Sequence, residues 1–502
     1  MAESRDFSDM REKLDNFGFV RKSGMLMPVS ALPNKYGIGS FGIHAYKFID
    51  FLKECGQRCW QVLPLNPTAY GDSPYQSPCS FAGNPYFIDV DLLVRDGLLT
   101  VDEAKYAAND SRFIDYGLLF DTRIGLLKKA HSRFKVNSSY LRFKQNNDWL
   151  EDYALFMTLK EKNGYKPWTD WGDCKIYDVA KSRFAEYAKE CEFWIFTQYE
   201  FFKQYKALKK YAKSNGIAII GDMPIYVSYD SVEVWSNPKA FLLDENLSPT
   251  VVAGCPPDAF SDDGQLWGNP IYDWAKMKSD GFEWWRKRAK CVFGLYDIVR
   301  IDHFRGFAGY YAIPAGDDTA KNGKWQEGVG YALFEAIEKA VPKAKIIAED
   351  LGHITDDVRD LLAKTGYPGM KVLQFAFTDD SNEYLPKNYT SENCVVYTGT
   401  HDSMPTAPWC KQLDESTRKV FERECPLRFG QTPTQAMIAF ALGSKANLAV
   451  IPLQDYMELG EDSRINTPST AQGNWTWRVS ARYATSVLKN KILSATAKAN
   501  RL

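Results

Sequence analysis

No apolar run in this 502-residue sequence approaches the roughly 20 residues that a membrane-spanning helix needs. Residues 1–20 are polar and charged, with no apolar stretch and no cleavage pattern of a secretion signal, so a soluble, cytoplasmic protein is expected. Without such a signal the sequons at Asn137 and Asn388 carry no meaning. Net charge is nearly absent: 62 Lys and Arg offset 63 Asp and Glu, leaving −1. With no overall field to gather phosphates, neither nucleic acid nor a membrane is expected as a partner. Histidine is scarce, five in all and none paired at ligand spacing. The ten cysteines are scattered, and Cys55 with Cys59 lacks a second pair. Reduced, mostly buried thiols are therefore expected, and no metal or other cofactor. Ser261-Asp262-Asp263-Gly264 reads as a turn rather than a calcium loop.

What is present is ordinary globular composition, 45% hydrophobic and 25% charged, with a surplus of aromatics: 14 Trp, 28 Tyr and 30 Phe. A large core accounts for most of them. Tryptophans beside turns, Trp235, Trp267 and Trp409, also suit stacking on the apolar face of a sugar.

Short apolar segments recur at wide spacing and most end in a polar or acidic residue. They predict strands over 24–29, 59–63, 217–222, 297–302, 344–349, 369–375, 394–399 and 447–452. Helical patterns fall at 43–55, 147–162, 182–213, 281–293, 331–340, 355–365, 431–441 and 475–493. Eight buried strands alternating with helices match an α/β fold of the (β/α)8 TIM-barrel type. A doubly wound open sheet is the alternative, because strand order is not written in one sequence. The intervals are uneven. We expect a single elaborated catalytic domain over 1–502, with a largely helical insertion at 64–216 and a loop-rich insertion at 223–296 carrying a substrate lid.

Barrels place chemistry at the C-terminal ends of their strands. Here those ends carry Asp222, Asp302, Glu349 and, just past the seventh strand, His401 and Asp402. In Asp297–Phe307 a carboxylate, Asp302, stands between Arg300 and Arg305 with His303 adjacent, and nearby positive charge keeps such a group ionised, as a nucleophile requires. Glu349 closes the hydrophobic run of Ile346-Ile347-Ala348, where desolvation raises a carboxyl towards neutrality and suits a general acid/base. Tyr397-Thr398-Gly399-Thr400-His401-Asp402 adds a third carboxylate and a donor. Retaining glycoside chemistry needs two carboxyls about 5–5.5 Å apart across the scissile bond.

The segments 300–306, 348–352 and 398–402 resemble the signature regions of the amylomaltases, glycoside hydrolase family 77 of the α-amylase clan. The likeness covers nearly the whole chain. It runs from 24–42 through Gly71-Asp72-Ser73-Pro74-Tyr75-Gln76-Ser77, Gly83-Asn84-Pro85-Tyr86 and Gly221–Val227 to Pro256-Pro257-Asp258, Gly268-Asn269-Pro270, Asn466-Thr467-Pro468 and Gly473-Asn474-Trp475. The resemblance implies a 4-α-glucanotransferase that moves α-1,4-glucan segments from malto-oligosaccharides to glucose or another glucan through a covalent glucosyl-enzyme. It makes Asp302 the nucleophile, Glu349 the acid/base and Asp402 the stabiliser of the distorted sugar. Arg300, His303, His401 and Asp222 would surround the reacting sugar, Tyr75 would stack beside the donor, and Ser73, Asp258, Trp267 and Asn269 would bind substrate. The loop 255–262 would close over the acceptor. Ser403 departs from the pattern, standing where the family more often has Asn.

Other readings compete. An α-glucan hydrolase of the same clan would differ only in letting water win over a sugar hydroxyl, and a non-catalytic glucan-binding module would keep the cleft without the turnover. The literal G-x-G-x-x-G at Gly37–Gly42 raises dinucleotide binding. Residues 30–36 separate it from the preceding strand, and the next strand ends Leu63-Pro64-Leu65-Asn66 without the acidic residue that fingerprint wants.

Overall fold

The computed structural model describes residues 21–502 apart from residues 70, 258–260, 353 and 471. In chain order its strands are β1 (Lys22–Leu26), β2 (Cys59–Gln61), β3 (Ala218–Met223), β4 (Val251–Cys255), β5 (Gln265–Pro270) and β6 (Ile298–Ile301). They continue with β7 (Gly309–Pro314), β8 (Lys324–Glu327), β9 (Ile346–Ala348), β10 (Gly369–Val372), β11 (Cys394–Tyr397) and β12 (Leu448–Pro452).

Eight of these strands close a parallel barrel in the order β1-β12-β11-β10-β9-β6-β3-β2. Closure decides between the two expected topologies, and all eight predicted strands supply it. They are buried on both faces, β6, β9, β11 and β12 without an exposed residue. That is why their sequences read as continuous apolar runs rather than alternating ones. Gly221 in β3 is required by close approach: a Cβ there would lie 2.1 Å from the Tyr296 ring.

Helices Ile43–Glu54, Glu283–Leu295, Tyr331–Ala340, Asp356–Thr365 and Pro433–Gly443 lie between barrel strands, near the predicted places. The predicted helix at 475–493 is corrected. The helix begins at Ser486, with Thr485 capping the Leu488 N–H. Trp475 has φ 64°, a left-handed conformation that no helix propagates. Beyond it the backbone donors of Arg478 and Val479 go to the carbonyls of Arg112 and Ala31. Tertiary partners have taken the hydrogen bonds a helix would have used.

Within 64–216 helices dominate, the longest being Phe184–Ser214, packed along Leu150–Lys162. Its Gln198 accepts from the Gly83 N–H at 2.7 Å and anchors the segment that follows Tyr75. The interval 223–296 contributes β4 and β5 to a four-stranded antiparallel sheet of order β5-β4-β7-β8. Two of its strands follow β6, and the sequence reading marked none of the four. β8 is exposed at every residue, and the Gly254 and Gly268 that interrupt β4 and β5 obscure a strand pattern.

At Gly37–Gly42 the turn enters helix Ile43–Glu54 with the Asp89 carboxylate already in place, since a Cβ on Gly42 would lie 2.0 Å from Asp89 Oδ2. Ser40 donates to that oxygen at 2.6 Å. A carboxylate occupying the helix start repels the pyrophosphate that a nucleotide fingerprint serves. Among the described residues no helix is long and apolar enough to cross a membrane. Trp235, considered for sugar stacking, is fully buried against Phe156, Trp171 and Tyr177, and Trp409 packs on Phe377 and Phe421.

Candidate active site

In the parallel pair β3–β6, Asp222 is the register partner of Arg300, and in β6–β9 Ile301 is the partner of Ala348. Asp302 and Glu349 are each the next residue along, so both carboxyls leave adjacent strand ends, whose spacing in any sheet is about 4.8 Å. The ladder continues past those ends. The Asp302 N–H donates to Met223 O, the Glu349 N–H to Ile301 O and the Phe304 N–H to Glu349 O, each at 3.0 Å. Both groups are thus carried on rigid backbone rather than on free loop.

Arg300 organises the barrel mouth. Its Nη1 donates to Asp222 Oδ2 at 2.7 Å and lies 2.9 Å from Asp302 Oδ1. Burial works against its charge, but the Asp222 and Asp302 carboxylates outweigh it and hold the guanidinium protonated. Asp222 Oδ2 also accepts from the Tyr75 hydroxyl at 2.9 Å, while its Oδ1 is buried without a partner. Desolvation raises the Asp222 carboxyl, and the neighbouring Arg300 opposes the rise.

The two central carboxyls differ in environment. The Asp302 side chain is 28% exposed and paired with Arg300. Glu349 is buried, and its Oε2 accepts from the His303 N–H at 2.6 Å and its Oε1 from the Leu351 N–H at 3.0 Å. Desolvation lifts Glu349 to about 8 against the pull of Arg300 and of those two amides, with the Asp302 charge adding to the rise. At neutral pH one carboxyl therefore keeps a proton beside another that faces the cleft.

His303 has φ 50°, which turns the chain so that its amide reaches Glu349. Its ring lies edge-on to Trp267 of β5 with centroids 4.8 Å apart, and burial lowers its pKa to about 4, leaving a neutral imidazole. Beyond β11, His401 is buried and stacks on Tyr75 at 5.2 Å, while its Nε2 stands 3.4 Å from Asp402 Oδ2. Ser403 Oγ accepts from the Thr400 N–H at 2.9 Å and closes this turn.

Asp222, Tyr75, Arg300, Asp302, His303, Glu349, His401, Asp402 and Trp267 are thus gathered around one barrel mouth. Ser73 and Asn269 stand one step back. Ser73 Oγ accepts from the Tyr75 N–H at 3.2 Å, and buried Asn269 donates to Val227 O at 2.8 Å while accepting from Gln76. Asp258 lies outside the described residues.

Three residues here had no role in the sequence reading. Asn466 Nδ2 donates to Asp402 Oδ1 at 2.7 Å, and its N–H donates to His401 O. Arg464 Nη2 donates to Asp402 O at 2.8 Å. Trp475 stands 5.8 Å from Tyr75 and 6.1 Å from His401 by ring centroids. Asn466 and Trp475 fall in segments already matched to the family pattern, but a motif match does not say which carboxylate an amide will meet.

A partly exposed carboxylate paired with arginine, a protonated neighbour one strand away and a third acid flanked by donors are the parts of acid/base-assisted glycosyl transfer. The sequence model of glycoside hydrolase family 77, described as 4-alpha-glucanotransferase, matches residues 27–484. The chain is 46% identical over 486 residues to the 4-alpha-glucanotransferase of Clostridium butyricum, covering 94% of this chain and 99% of that one. It is 45% identical over 487 residues to that of Streptococcus pneumoniae, covering 95% and 96%. Its fold matches an amylomaltase from Streptococcus agalactiae, solved with acarbose, at a TM-score of 0.92 and 39% identity over 96% of this chain and 99% of that one. The chain belongs to glycoside hydrolase family 77, the 4-alpha-glucanotransferases, enzymes of α-glucan substrates.

Proposed function

We propose that this chain transfers α-1,4-glucan segments by a retaining double displacement in which Asp302 is the nucleophile and Glu349 the acid/base. The observation that carries the reading is the contrast between these two carboxyls on adjacent strand ends, one paired with Arg300 and one buried and protonated at neutral pH. In the first step an Asp302 oxygen bonds to the anomeric carbon, the glycosidic C–O bond breaks, and the Glu349 proton passes to the leaving oxygen. In the second step the acceptor hydroxyl gives its proton to Glu349, and its oxygen displaces Asp302 from the anomeric carbon.

The other residues shape this exchange. Arg300 pairs with Asp302 and holds its carboxylate in place at the barrel mouth. Asp402, oriented by Asn466, faces the positive charge that develops on the sugar. Tyr75 and Trp475 offer aromatic surface to the donor, and Trp267 with neutral His303 walls the acceptor side. The acceptor is glucose or the non-reducing end of a glucan. The segments 64–216 and 223–296 supply the residues Tyr75 and Trp267 at the mouth and favour a sugar over water at the second step. A cytoplasmic location suits such substrates.

Incubation with maltotriose tests transfer: glucose plus oligomers longer than maltotriose is expected, and maltose with glucose alone would make the chain a hydrolase. An activated fluorinated maltosyl donor tests the nucleophile: mass spectrometry should find the adduct on Asp302, and an adduct on another carboxylate would overturn the assignment.

A further inference from the structure

The carboxylate of Asp455 belongs to no step above, yet it is 1% exposed and carries three hydrogen bonds from a single loop. That loop runs from Thr398 at the end of β11 to Thr406 and bears His401, Asp402 and Ser403 between its ends. Asp455 Oδ2 accepts from Thr398 Oγ1 at 2.5 Å and from Thr406 Oγ1 at 2.7 Å, and Oδ1 accepts from the Thr406 N–H at 2.7 Å. Asp455 lies just past β12, the strand paired with β11, so the carboxylate ties both stems of the loop to a neighbouring barrel stave.

The chemistry of the clasp is specific. Helix Thr406–Lys411 starts behind Pro405, which offers no side-chain acceptor for the first free N–H, and Asp455 supplies that acceptor from another segment. Three donors converge on one group, and its two carboxyl oxygens accept all three. An amide in its place would turn an NH2 towards one of them. The rest of the loop is held by Gln374 on Met404 O, Arg464 on Asp402 O, the Asn466 N–H on His401 O and the Asn466 amide on Asp402, with His401 stacked on Tyr75. Between the loop and β12 lies a narrow cleft lined by Thr400, Ser403, Gln454, Asp455 and Arg464.

We propose that Asp455 is a positioning residue for transfer: by closing Thr398 onto Thr406 it sets where His401 and Asp402 meet the reacting sugar. This rests on the reading of Asp402 as the group that stabilises the distorted sugar. A displacement of about 1 Å at such a group lowers turnover by up to about 100-fold while leaving ground-state binding largely intact.

The test measures kcat and KM on maltotriose, and inhibition by acarbose, for Asp455→Asn, Thr406→Val, Thr406→Ser and Asp402→Asn. Asp455→Asn should lose about 10- to 100-fold in kcat with KM changed by less than about 3-fold. Thr406→Val should lose less, Thr406→Ser should retain activity because it keeps the hydroxyl, and acarbose affinity should fall in step with kcat. If Asp455→Asn does not fold, the contrast between Thr406→Val and Thr406→Ser decides. Wild-type kcat in Asp455→Asn and Thr406→Val, with only the melting temperature lowered, would overturn the clasp even where Asp402→Asn is inactive. Wild-type turnover in Asp402→Asn would instead overturn the reading on which the clasp rests.

Discussion

The backbone N–H of His303 donates to the Glu349 carboxyl at 2.6 Å, so the residue beside Asp302 holds the carboxyl at the end of the neighbouring strand. One short bond couples the ends of β6 and β9 and sets the relative position of the two proposed reactive carboxyls. Replacing Glu349 by Gln keeps an acceptor for that bond and removes the proton. Turnover on maltotriose should fall by about 10²- to 10⁴-fold, with a larger share regained on donors whose leaving group needs no protonation. Equal loss on both kinds of donor would deny the acid role.

The elevated Glu349 gives a signed pH dependence. With a folded value of about 8 against an ordinary 4.5, Glu349 carries its proton through neutrality, and kcat/KM should decline as pH rises through about 8. A decline already complete near pH 5 would mean the burial argument fails.

Stability follows from the same shift. Between pH 4.5 and 8 the folded chain binds more protons than the unfolded one, so this group's contribution is full below 4.5 and lost as pH rises through about 8. The melting temperature of Glu349→Gln relative to wild type should therefore rise from pH 6 to pH 9, and scans at the two pH values measure the difference.

Asp302→Asn should lose about 10³-fold or more in kcat, since it deletes the attacking oxygen, while oligosaccharide binding measured by calorimetry stays within about 10-fold. Residual transfer at wild-type level would place the nucleophile elsewhere.

Tyr75→Phe removes the hydroxyl bonded to Asp222, whose other oxygen already lacks a partner. About 1–3 kcal/mol of stability should be lost for an acceptor left half-satisfied, read from denaturant midpoints. Asn466→Ala should leave stability nearly unchanged and cost about 10-fold in kcat by freeing the Asp402 carboxylate, a contrast the two variants measured together would expose.

Much of this molecule is legible without coordinates because its signals are local. A strand buried on both faces must be apolar along its length, so each barrel strand shows itself in three to six residues. An acidic residue at the close of such a run, Asp222, Asp302 or Glu349, lies where a barrel exposes its chemistry. The antiparallel sheet was not legible, since β8 is exposed throughout and is placed by pairing with β7 and by Arg305 over Trp325. Residues 475–485 misled for the opposite reason. Their pattern is compatible with a helix, but their hydrogen bonds are claimed by segments hundreds of residues earlier, Arg112 and Ala31.

The amino-acid sequence by itself determined eight buried strands alternating with helices, the family and the acidic residues at the strand ends, since each depends on residue type and near-neighbour order. Only the tertiary structure decided that His303 grips Glu349, that Asn466 aims Asp402 and that Asp455 closes the Thr398–Thr406 loop. Those relationships join segments far apart in the chain, and hydrogen-bond geometry acts over about 3 Å of space regardless of sequence distance.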